Sequence, residues 1–184
     1  MMNLNCEDKN EDRRIRKTKK LLRDALLRLL SKKSIAEITV TELTDAADVH
    51  RGTFYHHYKD AFELKAQVDR EIEQELSDLL NAPANGSRAL ILRVLNYFDE
   101  NRDLAKMLAS STGSPRLMAQ LCEALSVRCM ESDLFGEQLR YGTRFCSSGV
   151  QEGVVTTWIE DGMRLPPSEV ADIIEKMMGI SLQR

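Results

Sequence analysis

Residues 39–60 read TVTELTDAADVHRGTFYHHYKD. Thr39, followed three residues later by Glu42, forms a capping-box pattern, which predicts the start of a short helix. A three-residue break, DVH, separates this helix from a second pattern, in which helical spacing resumes through Phe54 and Tyr58. The stretch therefore predicts a helix-turn-helix.

The inward side of this unit is predicted from the apolar spacing. Val40, Leu43, Ala46 and Ala47 are expected to form the buried side of the first helix. Two small alanines would let the helices cross closely, and Val49 would fill the turn. Such a pattern occurs in many helical proteins, so the outward residues must supply the specificity.

The outward residues of the second helix are hydrogen-bond donors or small groups. Such groups suit phosphate oxygens and base edges, and a glycine lets the backbone come close to a surface. Alternatives are a half-buried surface aromatic for Tyr55 and a solvated pair for His56 and His57. Adjacent helix positions diverge by about 100 degrees, which makes these histidines poor joint metal ligands. The outward set is His50, Arg51, Gly52, Thr53, Tyr55, His56 and Lys59.

A preceding helix is predicted from about Arg13 to Ser31, because apolar residues recur at three and four residues. Its first turns are densely basic, although like charges repel and the positive helix N-terminus opposes them. A solvated charged face and a surface for an anionic partner both remain open. The apolar stripe is Ile15, Thr18, Leu22, Ala25, Leu26 and Leu29, and the basic cluster is Arg13, Arg14, Arg16, Lys17, Lys19, Lys20 and Arg23.

Charge is unevenly distributed along the chain. The whole sequence of 184 residues has a formal charge of -3, yet residues 13–59 hold 12 basic and 5 acidic residues. Residues 61–184 hold 13 basic and 19 acidic residues. The N-terminal part is therefore expected to bind an anionic partner.

Composition predicts an all-α protein with the size of one domain or two small ones. Only four prolines and nine glycines interrupt helix-forming segments. Residues 1–12 lack apolar periodicity and are expected to form a flexible tail. Because no run approaches the ~20 apolar residues of a membrane helix, and no secretion signal is present, we expect a cytoplasmic protein without membrane contact. The four cysteines form no CxxC pair, so reduced thiols are expected.

From about Arg13 to Val68, the sequence resembles the DNA-binding domain of the tetracycline-repressor (TetR) family of bacterial transcription regulators. The resemblance lies in the Thr-capped helix, the small-residue turn, the Gly-Thr-Phe-Tyr stretch and the Lys-Asp start of a fourth helix. It implies an all-α fold of about nine helices. A helix-turn-helix domain at 13–60 would be followed by a connecting helix at 61–81 and an effector-binding and dimerisation domain at 82–184.

The resemblance also implies a function. The chain would be a homodimer that binds palindromic double-stranded operator DNA as a repressor, the commonest role in this family. An unknown small-molecule effector would release it from the DNA. The alternative is a DNA-binding dimer controlled by a protein partner and acting as an activator or adaptor.

Residue by residue, the resemblance assigns phosphate contacts to Thr39, Thr41, Tyr55 and Lys59. It assigns base contacts to His50, Arg51, Gly52, Thr53 and His56. Three positions depart from the family pattern: Asp48 stands for the usual turn glycine, Ala61 for a phosphate-binding lysine and Thr44 for an alanine. An aspartate tolerates a left-handed turn better than most residues do.

The C-terminal half begins after the break at Ala82 to Gly86, where Ser87 is expected to cap the next helix. A stripe of small residues and the face of the last helix predict a dimer interface, unless both pack inside the monomer. These residues are Gly142, Cys146, Gly149, Gly153, Thr157, Ile173, Ile174 and Met177. An adaptable apolar effector pocket, with core packing as the alternative, is predicted at Phe98, Met107, Met118 and Trp158.

The sequence contains no Ser-His-Asp set, Gly-rich phosphate loop or metal-ligand spacing. All three histidines lie in the first sixty residues, which deprives the C-terminal half of the commonest general base. We therefore expect no catalytic residues, no metal and no cofactor. An enzyme is the third and least supported class.

Overall fold

The computed structural model describes residues 4–110, Leu117, Leu121 and 150–177, and all its regular elements there are helical. This confirms the all-α prediction. A 3-10 turn at Ile35–Glu37 follows the first helix, and a π-helical segment at Val150–Val155 precedes the seventh. Within the described ranges the α-helices are α1 (Leu4–Leu30), α2 (Val40–Ala47), α3 (Arg51–His57), α4 (Ala61–Asn81), α5 (Ser87–Glu100), α6 (Arg102–Ala109), α7 (Thr156–Glu160) and α8 (Pro167–Met177).

Helix α1 begins earlier than the sequence pattern predicts. It starts at Leu4, inside the stretch 1–12 that was expected to be a tail, and not near Arg13. Apolar periodicity reports which turns are buried, whereas helix propagation needs only one further hydrogen bond per residue once a nucleus exists. Polar turns can therefore extend a helix beyond its buried stripe.

The cap predicted at Thr39 forms, with one difference. The Thr39 hydroxyl accepts a hydrogen bond from the backbone N–H of Glu42 at 3.2 Å. The Glu42 carboxylate does not complete a capping box; it lies 2.6 Å from Nζ of Lys33. Asp60 caps α4 by accepting from the backbone N–H of Glu63 at 2.8 Å. These caps set the starts of α2 and α4.

A Schellman turn joins α2 to α3. Asp48 is left-handed (φ 52°, ψ 48°), as predicted for this residue. Its N–H donates to the carbonyl oxygen of Asp45 at 3.2 Å, and the N–H of Val49 donates to that of Thr44 at 3.0 Å. Val49 packs against the core. The turn therefore stops α2 and redirects the chain into α3.

Replacing Asp48 by glycine should stabilise the fold. Asp48 is exposed, and left-handed backbone costs an ordinary L-residue ~1–2 kcal/mol, part of which glycine loses again through unfolded-state entropy. We expect a gain of up to ~1 kcal/mol in urea denaturation. The same substitution at Asp45, exposed inside α2, is the matched control and should cost up to ~1 kcal/mol. Equal effects at both positions would contradict the turn geometry.

The buried side of α2 differs from the prediction at one position. Leu43 and Ala47 are buried, but Ala46 is exposed and Thr44 is buried in its place. The Thr44 hydroxyl donates to the carbonyl oxygens of Val40 and Thr41, both at 2.9 Å. Because its own helix satisfies the hydroxyl, a threonine can occupy this core position.

Two arginines on α5 bind this helix to neighbouring elements, the end of α4 and helix α8. Arg93 donates to the carbonyl oxygens of Leu79, Ala82 and Pro83 at the end of α4. Arg88 pairs with Asp172 at 2.7 Å and with Glu175, and so attaches α8 to α5.

Helix α5 starts at Ser87 itself with Gly86 at the cap position, so the prediction of Ser87 as the cap is wrong.

One continuous core links the N-terminal helices to the C-terminal ones. Helix α1 also contacts α6 through an ion pair of 3.8 Å between Arg28 and Asp103. The Ser110 hydroxyl donates to the carbonyl oxygen of Leu30 at 3.4 Å. Among the described helices, none combines the length and apolar character needed to cross a bilayer.

Candidate nucleic-acid interface

Helix α3 is anchored by its inner face. Phe54 is fully buried and Tyr58, directly after the helix, is 4% exposed. Their rings contact each other at a centroid distance of 5.7 Å. Because α3 has only seven residues, it depends on these tertiary contacts for its structure. The two aromatic anchors thereby determine which α3 residues face outward.

The structure brings the predicted DNA-contacting residues together on α2, the turn and α3. All nine are exposed. Thr39 and Thr41 lie at the N-terminus of α2, His50 caps α3, five residues lie within α3 and one follows it. Their contacts with DNA stay a prediction. The nine are Thr39, Thr41, His50, Arg51, Gly52, Thr53, Tyr55, His56 and Lys59.

Arg51 and Tyr55 form a pair on the outer face of α3. The Arg51 guanidinium donates to the Tyr55 hydroxyl at 3.3 Å and lies 5.8 Å from the ring centroid. Since the hydroxyl accepts from the arginine, its own proton can be donated elsewhere, and a phosphate oxygen is a suitable acceptor. The pair thus combines a fixed cation with a free O–H donor.

One departure from the family pattern takes a structural role beside this surface. Ala61, which stands for a lysine, is 4% exposed at the start of α4. The next residue, Phe62, is apolar yet 57% exposed. The helical spacing of α4 directs Ala61, Leu64 and Val68 inward, and Phe62 lies off that face.

His57 links α3 to the basic cluster of α1. Burial lowers the pKa of His57, and the neighbouring His56 and Lys19 lower it further. Within the cluster, Arg13, Arg14, Arg16, Lys17 and Lys20 are exposed. These cations extend the positive surface beyond α3.

Arg23 has a different role from the rest of the basic cluster. It donates two hydrogen bonds to the Glu75 carboxylate of α4, at 2.5 and 2.7 Å. Tyr97 of α5 donates to the same carboxylate at 2.6 Å. Arg23 therefore fits neither interpretation of the basic cluster, because its charge is engaged by a carboxylate 52 residues later in the chain.

The pKa values of this trio follow from the same contacts. Burial acts to raise the pKa of Glu75, but hydrogen bonds from Arg23 and Tyr97 outweigh it, so the pKa lies below its usual value. Burial and the bond to Glu75 raise the pKa of Tyr97. Since folding favours ionised Glu75, its stabilising contribution is present at neutral pH and is lost as the pH falls through its folded-state pKa.

The trio borders an open cleft of about 910 Å³ between α1 and helices α4, α5 and α6. One wall carries basic residues of α1, and the other carries mainly acidic residues. Its charged lining includes Arg16, Lys19, Lys20, Glu71, Asp99 and Asp103.

Two family profiles match the chain. One, described as bacterial regulatory proteins of the tetR family, covers residues 22–64. The other, described as a transcriptional regulator C-terminal region, covers residues 87–179. The chain belongs to the TetR family of transcriptional regulators. It is accordingly a helix-turn-helix, DNA-binding regulator and not an enzyme.

Similar proteins agree with the TetR assignment. An uncharacterized HTH-type transcriptional regulator, YxbF of Bacillus subtilis, is 25% identical over 174 residues. The alignment covers 90% of this chain and 45% of the relative, so the chain spans about half the relative's length.

Solved structures share the TetR fold. A TetR regulator from Streptococcus agalactiae 2603V has a TM-score of 0.60 and 21% identity, covering 93% of this chain and 98% of that one. The dihydroxyacetone kinase operon activator DhaS has a TM-score of 0.59 and 18% identity, covering 88% and 93%. The fatty acid degradation regulator FadR from Bacillus halodurans has a TM-score of 0.60 and 15% identity, covering 91% and 97%.

The residues predicted to line an effector pocket in this TetR protein lie in the hydrophobic core. Phe98 and Met107 are 1% and 0% exposed, and Trp158 is 5% exposed. The Trp158 indole donates to the carbonyl oxygen of Leu165 at 2.9 Å. None of the three lines the charged cleft. Met118 lies outside the described residues.

The predicted dimer residues divide into two groups. Gly153, Thr157, Ile173 and Met177 are exposed. Ile174 is 2% exposed and belongs to the monomer's own core, so its assignment to the dimer interface is wrong. Consecutive helix positions are about 100 degrees apart. Ile174 therefore faces the core on the same side as Val170, whereas Ile173 faces outward. Gly142, Cys146 and Gly149 lie outside the described residues.

Proposed function

We propose that this chain is a homodimeric, cytoplasmic repressor that binds a palindromic operator and is released by a small-molecule effector. The observation that carries the proposal is the outward face of α3. Seven residues predicted to contact DNA are exposed on or beside this helix, which buried Phe54 anchors. Two such helices in one dimer would enter successive major grooves, ~34 Å apart. In this proposal, α3 reads bases while the threonines of α2, Tyr55 and Lys59 bind phosphates.

Two substitutions test the division between base and phosphate contacts. Arg51→Ala should change which bases are tolerated, with a loss of ~1–3 kcal/mol per bidentate contact. Tyr55→Phe keeps the ring beside Arg51 and removes only the hydroxyl, so it should weaken binding to all sequences alike. Selection from random DNA, followed by titration of the selected sites, measures both effects.

Arg164, whose side chain is 79% exposed and which is remote from α3 in sequence, offers a matched control. Arg164→Ala removes the same charge as Arg51→Ala and should leave both affinity and preference unchanged. A change of preferred sequence with Tyr55→Phe would reverse the assigned roles.

Dimerisation through the outer faces of α8 and the segment around Gly153 has structural support. Ile173 and Met177 lie one turn apart on α8 and are 37% and 65% exposed. A Cβ added at Gly153 would meet no other described atom within 4 Å. A larger side chain at position 153 would thus fit within the described part of the monomer but would clash with a partner helix packed there.

Gly153→Leu should weaken the dimer, because overpacking commonly costs ~1–3 kcal/mol. Sedimentation equilibrium would show this as a higher dissociation constant. Ser168→Leu is the size-matched control, since Ser168 is exposed on another side of α8 from Ile173. An undiminished dimer with Gly153→Leu would place the interface elsewhere.

The second candidate function is a DNA-binding dimer controlled by a protein partner, as an activator or adaptor. It is favoured by the packing of Phe98, Met107 and Trp158 into the core, since these residues were predicted to line an apolar effector pocket. The structurally similar DhaS is named as an operon activator. The shared fold therefore does not dictate the sign of regulation.

Two measurements separate these functions. Mapping the protein along the genome identifies the operator and regulated genes, and transcription with and without the protein gives the sign. A metabolite panel then tests for an effector, which must raise the melting temperature and release operator DNA at the same concentrations. A tenfold loss of operator affinity requires ~1.4 kcal/mol of coupling. Absence of any such compound, together with a copurifying protein, would favour the second function.

A further inference from the structure

His50 caps helix α3 with its imidazole ring. Its Nδ1 accepts the backbone N–H of Gly52 at 3.1 Å. Caps of this kind are ordinarily made by the oxygen of Ser, Thr, Asp or Asn. An imidazole nitrogen can take that place only when it carries no proton. The cap therefore determines the protonation pattern of the ring.

A neutral imidazole that accepts through Nδ1 carries its hydrogen on Nε2. His50 is exposed, so Nε2–H is available to a partner on the outer surface. A ring held in this form donates one hydrogen bond and cannot accept another at Nε2. The ring nitrogens of histidine can each donate or accept a hydrogen bond. The cap thus leaves Nε2 of His50 as a defined donor.

Gly52 makes room for the capping ring. A Cβ at position 52 would lie 3.1 Å from Nδ1 of His50 and 3.5 Å from its Cε1. The first distance is tighter than a comfortable van der Waals contact, so any larger residue would push the ring by a few tenths of an ångström and strain the cap. His50 and Gly52 consequently act as a pair, in which the glycine permits the cap.

We propose that His50 is a specificity residue whose fixed Nε2–H selects a hydrogen-bond acceptor on a base edge in the major groove. Guanine fits best, because both of its major-groove groups, N7 and O6, are acceptors, whereas adenine and thymine each offer one acceptor and cytosine offers only a donor. The inference rests on the proposed binding of DNA by α3 and adds the chemistry of one contact. A phosphate oxygen is also an acceptor, but only a base contact would change the preferred sequence.

The tautomer can be measured without DNA. The full-length chain has three histidines, and the resonances absent from a His50→Ser variant identify those of His50. Nitrogen-15 NMR at neutral pH should show protonated Nε2 and unprotonated Nδ1 at His50. A ring protonated on Nδ1, or an equal mixture of tautomers, would overturn the proposal.

A double-mutant cycle tests the pairing with Gly52. In the otherwise unchanged protein, Gly52→Ala should lower the melting temperature by displacing the ring. Combined with His50→Ser, Gly52→Ala should raise it, because serine caps without a ring and alanine is the better helix former. The same effect of Gly52→Ala in both backgrounds would exclude the proposed pairing.

DNA selection tests the specificity. His50→Ser retains a cap but lacks the Nε2–H donor, so it should melt within a few degrees of the unchanged protein and lose roughly tenfold preference at one base pair of each half-site. Uniform weakening across all sequences would mean a phosphate contact and would overturn the base assignment. If the unchanged protein selects no sequence, the proposed function fails with it, whereas an unchanged preference in His50→Ser refutes only this inference.

Discussion

Raising the salt concentration from about 50 to 200 mM is expected to weaken DNA binding by 10³-fold or more. Residues 13–59 carry 12 basic and 5 acidic residues, and five exposed cations of α1 extend the surface that Arg51 and Lys59 begin. If each protomer brings three cations to phosphates, the dimer makes six such contacts. That number corresponds to a loss of about 10³ over this range of salt, because binding releases condensed counterions.

The slope of affinity against salt, measured by fluorescence anisotropy, also tests individual cations. Lys59→Gln should reduce the slope by about one contact per protomer. Arg164→Gln, which removes an exposed charge from the C-terminal part, should leave it unchanged. A slope unaffected by Lys59→Gln would remove Lys59 from the phosphate-binding residues.

Replacing Phe54 by alanine is expected to destabilise the protein by about 3–5 kcal/mol, the usual cost of emptying a buried aromatic site. Phe54 is fully buried and contacts the rings of both Tyr55 and Tyr58. Without it, a seven-residue helix loses the packing that orders it, so operator binding should fail as well. Urea denaturation followed by circular dichroism measures the loss of stability.

Tyr55→Ala is the matched control, because it removes a neighbouring aromatic ring that is 50% exposed. We expect it to weaken DNA binding while changing stability far less than Phe54→Ala does. Equal destabilisation by the two variants would show that the buried face of α3 is not its main anchor.

The sequence by itself determined the features that depend on neighbours in the chain. Local hydrogen bonds form the caps at Thr39 and Asp60 and the turn at Asp48, with partners three to five residues away. Such features can be recognised from the residue types alone. The spacing of Phe54 and Tyr58 likewise determined which face of α3 is buried. The outward residues of α3 follow from this geometry, which is why all of those predicted from the pattern are exposed.

Only the tertiary structure decided which partner each side chain meets across the fold. Arg23 looked like one more surface cation, but Glu75, 52 residues away, engages it. Ile174 had the character of an interface residue, yet the packing of α8 against α5 buries it within the monomer. Such pairings join residues with no local signal for each other, and their energies depend on burial and geometry that exist only after folding.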